Sequence, residues 1–482
     1  VVVTALLSHP SADSIVAYRG GRAMRAAEFL SDAQRLAESL PAGRHILNAC
    51  TDRYRFAVGL AAALITGRVS LLPSTHTPEV IRHLRQFAPD AFCLTDHEAC
   101  AIDLPRFGYE GPDAVQSPDA VQSPDAAQSP DAAQSAEAAA FRAPLIPDDQ
   151  LAAIVFTSGS TGTPLPYRKT WGRLASCVRA EAQELGIAGG GSFTLIGTVP
   201  PQHMYGFEST VLVALQSANA FTAERPFYPA DVAAAVAEAP RPRALITTPV
   251  HLRTLLAAGL PWPALDLIVS ATAPLSRELA QEAESRSGAP LREIYGSTET
   301  GQIATRRTGE SEAFRLFPGV RLRADNGQTY AYGGHIEQMT PMCDVIELAG
   351  EREFTLHGRT ADLVNVAGKR SSFGYLNAQL NAIPGVVDGA FFLRDGGQAA
   401  ATGITRLAAA VVAPGLSAAT LLGLLRERID PVFLPRPLLL VGRLPRNATG
   451  KLPHQALEAL IDQRSPMQTE EPGASKRSPH GT

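Results

Sequence analysis

No stretch of this 482-residue chain approaches the roughly 20 consecutive apolar residues needed to cross a bilayer as a helix, so no integral membrane segment is expected. Cysteine is scarce. Cys50, Cys93, Cys100, Cys177 and Cys343 share no metal-ligand spacing and are odd in number, which reads as buried thiols of a reducing compartment rather than a disulfide framework. Charge of one sign is also lacking: 43 Lys and Arg against 47 Asp and Glu leave a net −4. That balance argues against a nucleic-acid surface and gives no field to steer polyanions, so any bound polyphosphate must be held by local donors. The opening VVVTALLSHP has neither the basic region nor the cleavage site of a signal peptide, and no initiator Met precedes it, which leaves a trimmed N-terminus open. Cytoplasm is the expected location.

The composition that remains, 45% hydrophobic and 19% charged, is that of a soluble globular protein with material for more than one core. Residues 12–105 alternate helical and strand patterns: Ala26 to Leu40 has apolar residues at helical spacing, and Ala57 to Ile65 reads as a buried helix. From Pro112 to Ser135 a hexapeptide drifts from SPDAVQ to SPDAAQ. Proline at every sixth position forbids a continuous helix, and without large apolar side chains the segment cannot offset its ordering entropy. A disordered surface insertion is expected there. Beyond it, ALITTPV (244–250) and LDLIVSATAPL (265–275) read as buried strands entering loops, with helices between, a pattern that implies parallel sheets covered by helices. A smaller unit follows Arg359, with LAAAVVAP (407–414), a helix around Ala418 to Arg428, and LLLVGRLP (438–445). The polar, Pro-bearing tail 465–482 is expected to be loose.

The motifs carry more. Leu151 to Phe156 (LAAIVF) reads as a buried strand that ends in Thr157-Ser158-Gly159-Ser160-Thr161-Gly162-Thr163-Pro164. Such a turn offers backbone N–H groups and hydroxyls with little bulk, the surface a polyphosphate needs. No Gly-Lys-Ser/Thr closes it, so it is not a Walker loop. Downstream stand Ile294-Tyr295-Gly296-Ser297-Thr298-Glu299, then Leu356-His357-Gly358-Arg359-Thr360-Ala361-Asp362, Asn365-Val366-Ala367-Gly368-Lys369-Arg370, and Leu444-Pro445-Arg446-Asn447-Ala448-Thr449-Gly450-Lys451. In this order they resemble the signatures of the adenylate-forming superfamily, which includes acyl- and aryl-CoA synthetases, peptide-synthetase adenylation domains and luciferases. The resemblance spans roughly residues 12–460, and several ordered motifs are far more specific than one.

It implies an α/β architecture: a large N-terminal domain of helix-covered sheets (1–359) and a small mobile α+β C-terminal domain (360–464), with the site between them. It also implies ATP and Mg²⁺ as cofactors. By this resemblance Thr157, Ser158, Gly159, Ser160, Thr161 and Gly162 cradle pyrophosphate; Thr298 contacts the α-phosphate, beside Gly296 and Ser297; and Glu299 helps hold Mg²⁺, a hard cation suited to a carboxylate. Tyr295 lies against adenine, where a ring offers a stacking face. Asp344 binds both ribose hydroxyls, two acceptor oxygens for a diol, and Arg359 also reaches ribose. Lys451 bridges the carboxylate and α-phosphate oxygens. Ser270, Ala271 and Ala273, in the SATAPL loop, line the adenine and acyl pockets; His203 and Phe207 belong to the acyl pocket; Gly368 and Lys369 swing in for a second, thioester-forming step. The acceptor would be CoA or the phosphopantetheine arm of a carrier protein, and the acid a small carboxylic acid.

Three departures qualify this. Leu165 stands where the family usually has a lysine, with Arg168 or Lys169 nearby to substitute as phosphate partners. Ala361 replaces a common hinge aspartate, and the interval from Glu299 to Asp344 is short, as though part of a β-rich region were trimmed. The Arg168-Lys169-Thr170-Trp171 variant resembles ligases that prime bacterial polyketide, fatty-acid or aryl-polyene pathways, which points to a hydroxyaryl or medium acyl acid. A degenerate, non-catalytic nucleotide-binding member is the alternative. A peptide-synthetase adenylation domain is disfavoured, since no carrier domain follows residue 465.

Overall fold

The computed structural model describes residues 1–73, 75–109, 141–157, 165–189, 192–325, 328–359, 363–366, 369–393, 407–447 and 452–462. The repeat 112–135 and the tail 465–482 lie outside these residues. The described chain forms two compact units, one of 1–342 with 346–356 and one of 343–345 with 357–482, and it passes from the first to the second within strand Glu353–Arg359.

The larger unit is built on two main sheets. In the first, the strand order is Leu165–Thr170, Leu151–Thr157, Val69–Leu72, His45–Asn48, Phe92–Thr95, Arg106–Gly108. All neighbours are parallel except the edge strand Leu165–Thr170, which runs antiparallel to Leu151–Thr157. The second sheet has eleven strands, and its middle (Ile15–Arg19, Ala220–Thr222, Thr194–Gly197, Arg243–Thr247, Leu267–Ser270, Leu291–Ser297) is parallel throughout. Helices cover parallel strands on both faces, so these strands are short apolar runs without alternation, as in Leu151–Thr157 and Leu267–Ser270.

The helix expected over 26–40 is Ala26–Ser39; it buries Phe29, Ala33 and Leu36, and Leu40 ends it ahead of Pro41. The buried helix expected from Ala57 starts earlier, at Arg53, because the Asp52 carboxylate accepts from Arg55 N at 2.9 Å and caps it. Between Glu299 and Asp344 the chain runs through Gly301–Arg306 and Phe314–Leu316, then a three-stranded antiparallel sheet of Val320–Asp325, Gln328–Gly333 and Ile336–Pro341.

In the smaller unit, the hairpin Leu363–Val366 with Lys369–Ser372 leads into helix Phe373–Asn381. Strands Asp388–Leu393, Leu407–Val412 and Leu438–Leu440 form a sheet, accompanied by helices Ala418–Arg426 and His454–Asp462. Its core gathers Leu376, Leu380, Phe391, Val411, Leu421 and Leu425. Among the described residues no helix is long and apolar enough to cross a membrane.

Candidate active site

Adjacent parallel strands that end at one edge of a sheet leave their loops side by side, and in open α/β sheets ligands bind outside the carboxyl ends of the strands. Strands Leu267–Ser270 and Leu291–Ser297 are such neighbours. The loop after the first holds Ala271 and Ala273; the turn after the second holds Thr298 and Glu299.

That turn is closed by its own hydroxyls. Ser297 N donates to Thr300 Oγ1 at 3.2 Å, Thr300 N donates to Ser297 Oγ at 3.2 Å, and the two hydroxyls lie 3.1 Å apart. Thr300 Oγ1 in turn donates to the Gly301 carbonyl at 2.8 Å. Gly296 is required by close approach, since a Cβ there would stand 2.3 Å from the Gly301 carbonyl oxygen. Gly301 itself takes φ +72°, a left-handed conformation. The Thr298 and Glu299 side chains are both half-buried, and the Glu299 carboxylate feels the charge of the nearby Lys169 ammonium. A hydroxyl and a carboxylate are therefore presented together by a turn whose shape is fixed internally.

The neighbouring loop is fixed from the same strand. Glu293 is buried, its Oε1 accepts from Leu275 N at 3.2 Å, and its Oε2 accepts from Arg306 Nε and Thr308 Oγ1, each at 2.7 Å. Ser270 is fully buried and Ala271 nearly so, while Thr272 between Ala271 and Ala273 holds φ +80°, a strained position for a β-branched residue.

His203 precedes the short helix Met204–Gly206, and its Nδ1 accepts from Tyr205 N at 3.3 Å. The Tyr205 hydroxyl donates to the Val269 carbonyl at 3.0 Å, tying this segment to the strand that leads into Ser270. Phe207 is fully buried and packs edge-on against Phe56 at 6.3 Å, so the structure places it in the core. Tyr295 packs against Phe314 and Phe354, each with ring centroids 5.5 Å away.

Of the remaining predicted residues, Ser158 to Gly162 lie outside the described residues, as do Ala361, Gly368 and Lys451. Thr157 ends strand Leu151–Thr157, Arg359 ends Glu353–Arg359, Asp344 opens Asp344–Leu348, and Lys369 opens Lys369–Ser372. Within the smaller unit Arg446, of the motif that ends at Lys451, donates through Nε and Nη2 to the Asp388 carboxylate at 2.6 and 2.7 Å. That bidentate pair fixes Arg446 against strand Asp388–Leu393.

Arg168 is exposed, whereas the Lys169 ammonium turns inward and donates to the Glu299 carbonyl at 3.2 Å. Sequence reasoning also missed Arg53, which is fully buried beneath the carboxyl ends of two strands. An arginine just inside a capped helix gives no signal of that burial. A cavity lined by Val232, Val236, Leu255 and Trp262 is almost wholly apolar and carries no charged side chain for a phosphate or carboxylate. Among the described residues no three His, Cys, Asp or Glu gather as a metal site.

With this geometry in view, the chain belongs to the AMP-binding enzyme family, whose pattern matches residues 5–328. It is 32% identical over 303 residues to a 4-coumarate–CoA ligase of Rhodobacter capsulatus, covering 62% of this chain and 74% of that one. Its fold is that of ATP-bound MatB from Rhodopseudomonas palustris (TM-score 0.74, 20% identity, 94% of this chain and 97% of that). It is also that of o-succinylbenzoate CoA synthetase from Bacillus subtilis in complex with its acyl-adenylate intermediate (TM-score 0.75, 18% identity, 95% and 99%).

Proposed function

We propose that this protein activates a carboxylic acid, with an aryl acid as the leading class, at the expense of ATP and transfers the acyl group to a thiol. The carboxylate oxygen attacks the α-phosphorus of ATP, the bond to pyrophosphate breaks, and the acyl-adenylate remains. A thiolate of CoA, or of a carrier protein's phosphopantetheine arm, then attacks the acyl carbon and AMP leaves. The observation that carries this reading is the self-closed turn 297–301, which presents Thr298 and Glu299 beside the 270–275 loop. Family membership and the 4-coumarate–CoA ligase relative support it.

Charge moves toward the leaving pyrophosphate, so the protein's task is to aim donors and cations at phosphates. Backbone N–H groups and hydroxyls of Thr157 to Gly162 would hold the pyrophosphate, and Thr298, flanked by Gly296 and Ser297, the α-phosphate. Glu299 fits Mg²⁺, which takes one or two carboxylates together with substrate phosphate oxygens and neutralises their charge. Tyr295 would offer its remaining face to adenine, and Asp344 and Arg359 would take the ribose. Lys451 would bridge carboxylate and α-phosphate, and Gly368 and Lys369 would serve the thiol step. Ser270, Ala271, Ala273 and His203 would bound the acid.

ATP–pyrophosphate exchange across a panel of 4-coumarate, hydroxybenzoates and medium-chain acids tests the first half-reaction. Repeating it with CoA and with a phosphopantetheinylated carrier protein tests the second. Exchange that depends on an aryl acid is expected. Nucleotide binding without exchange for any acid would sink the ligase reading in favour of a non-catalytic nucleotide-binding protein.

A further inference from the structure

Three side chains from three separate elements each grip the backbone of the turn that carries Thr298 and Glu299. Lys169, at the end of edge strand Leu165–Thr170, donates to the carbonyl of Glu299 at 3.2 Å. His335 Nε2 lies 3.1 Å from the carbonyl of Thr300, and Cys177 Sγ on helix Trp171–Leu185 lies 3.5 Å from that of Gln302. Cys177 and His335 meet Glu208 beneath Gly301: a Cβ built there would stand 3.4 Å from Cys177 Sγ and from Glu208 Oε1, and 3.5 Å from His335 Nε2. Gln302 is held on its other side by Ser209, whose hydroxyl accepts from Nε2 at 2.8 Å.

We infer that Lys169, His335 and Cys177 form a buried clamp that sets the turn presenting Thr298 and Glu299, and that Lys169 is a positioning residue of this clamp and not a phosphate ligand. The inference rests on the reading of Thr298 and Glu299 as the residues that meet ATP.

The chemistry of each member fits. Burial pushes the Cys177 thiol well up, so it stays a protonated donor. Burial, with Lys169 adding repulsion, lowers His335 to about 4, so its ring is neutral at ordinary pH and presents an N–H to the Thr300 carbonyl. The same hairpin turn is tied to helix Trp171–Leu185 by Arg173, which donates to the Gly334 carbonyl at 3.0 Å. Burial lowers Lys169, and Glu208 opposes that most strongly, ahead of Cys177 and Glu299. Glu208 sits on the irregular helical turn Phe207–Leu212 and is almost fully buried. An ammonium that donates to a backbone carbonyl, and feels the charge of a buried carboxyl group that burial itself raises to about 7, is spent on structure. Three carbonyls in a span of four residues, each held from a different direction, leave the turn little freedom. Catalytic groups need that: a misplacement of about 1 Å can cost about 10²-fold in rate.

The test compares Lys169→Met, Lys169→Arg and Lys169→Met/Glu208→Gln with the unaltered chain. The double variant is included because Lys169 opposes the burial that raises Glu208 to about 7, so Lys169→Met also disturbs the Glu208 protonation, and Glu208→Gln removes that titration and keeps a folded protein in hand. Hydrogen exchange read by mass spectrometry on peptides spanning 297–302 is the first readout. Both Met variants should exchange there at least ~10-fold faster, the lost clamp exposing backbone that was held. In ATP–pyrophosphate exchange kcat should fall ~10–100-fold while KM for ATP moves less than ~3-fold, since a positioning residue touches no substrate. Lys169→Arg should recover part of kcat. Unchanged exchange over 297–302 in the double variant would overturn the clamp. So would a KM for ATP raised ~10-fold at near-normal kcat and restored by adding Leu165→Lys, the behaviour of a phosphate ligand. If the unaltered chain activates no acid, the proposed reaction fails, and the hydrogen-exchange arm still decides the clamp.

Discussion

Replacing Arg53 with methionine removes a fully buried guanidinium that donates to four backbone carbonyls. Nη1 reaches Thr222 at 2.6 Å and Glu224 at 2.9 Å, and Nη2 reaches Gly197 at 2.8 Å and Val199 at 3.3 Å. These carbonyls close strands Ala220–Thr222 and Thr194–Gly197, and the second leads directly into the loop that carries His203. A buried acceptor left without a donor costs ~1–3 kcal/mol. Part of that is returned, because burial also penalises the charged guanidinium, lowering its pKa to about 10. The net loss expected for Arg53→Met is ~3–5 kcal/mol, in the range found when one side of a buried polar network is removed. The fit is tight on the partner side too: a Cβ on Gly197 would come within 2.8 Å of Nη2. The measurement is urea unfolding followed by tryptophan fluorescence. The chain's two tryptophans, Trp171 and Trp262, both lie in the larger unit, so the signal reports that unit and not a mixture of two transitions. Arg53→Lys keeps the charge but cannot span four acceptors with one ammonium, so it should fall between the two. A loss below ~1 kcal/mol for Arg53→Met, or an Arg53→Lys variant as stable as the original, would refute the account of what joins these strand ends.

Gly296→Ala drives a methyl to 2.3 Å from the Gly301 carbonyl oxygen and should cost at least ~10²-fold in ATP–pyrophosphate exchange in a protein that still folds; near-normal exchange would show that the turn's shape is not needed. His335 is held neutral, its pKa about 4 against 6.5 when exposed, so the unfolded chain binds the extra proton. Its contribution is present above about pH 6.5 and lost as pH falls toward 4, at no more than ~1.4 kcal/mol per pH unit. His335→Gln, which keeps a donor and removes the titration, should therefore show a shallower loss of stability between pH 6.5 and 4; parallel curves would contradict this. Lys451→Ala should abolish pyrophosphate exchange, by ~10²–10³-fold or more, yet still transfer a supplied acyl-adenylate to the thiol acceptor; equal loss of both steps would make the lysine a structural residue.

What the sequence made legible follows from the range over which each signal acts. Strands such as Leu151–Thr157 and Leu267–Ser270 announce themselves because burial on both faces leaves a short apolar run, and burial needs no particular partner. The turn at Thr298 and Glu299 was legible as a motif because its constraints are local: Gly296 must be small for Gly301, and Ser297 and Thr300 bond each other three residues apart. Phe207 and Lys169 were harder, because the deciding contact lies far along the chain. Phe207 stands four residues from His203, but the ring it packs against, Phe56, lies far back along the chain. Lys169 sits four residues from the position of the missing loop lysine, so proximity in sequence offered it as a phosphate partner. Its ammonium instead meets a carbonyl 130 residues downstream, in a polar pocket assembled by a helix, a hairpin turn and an irregular helical segment. A buried cation requires such company, because without the Glu208 carboxylate and the Glu299 carbonyl its desolvation would drive it to give up its proton. No local pattern records that company, so a lysine facing phosphate and a lysine facing inward look the same until the strands are paired.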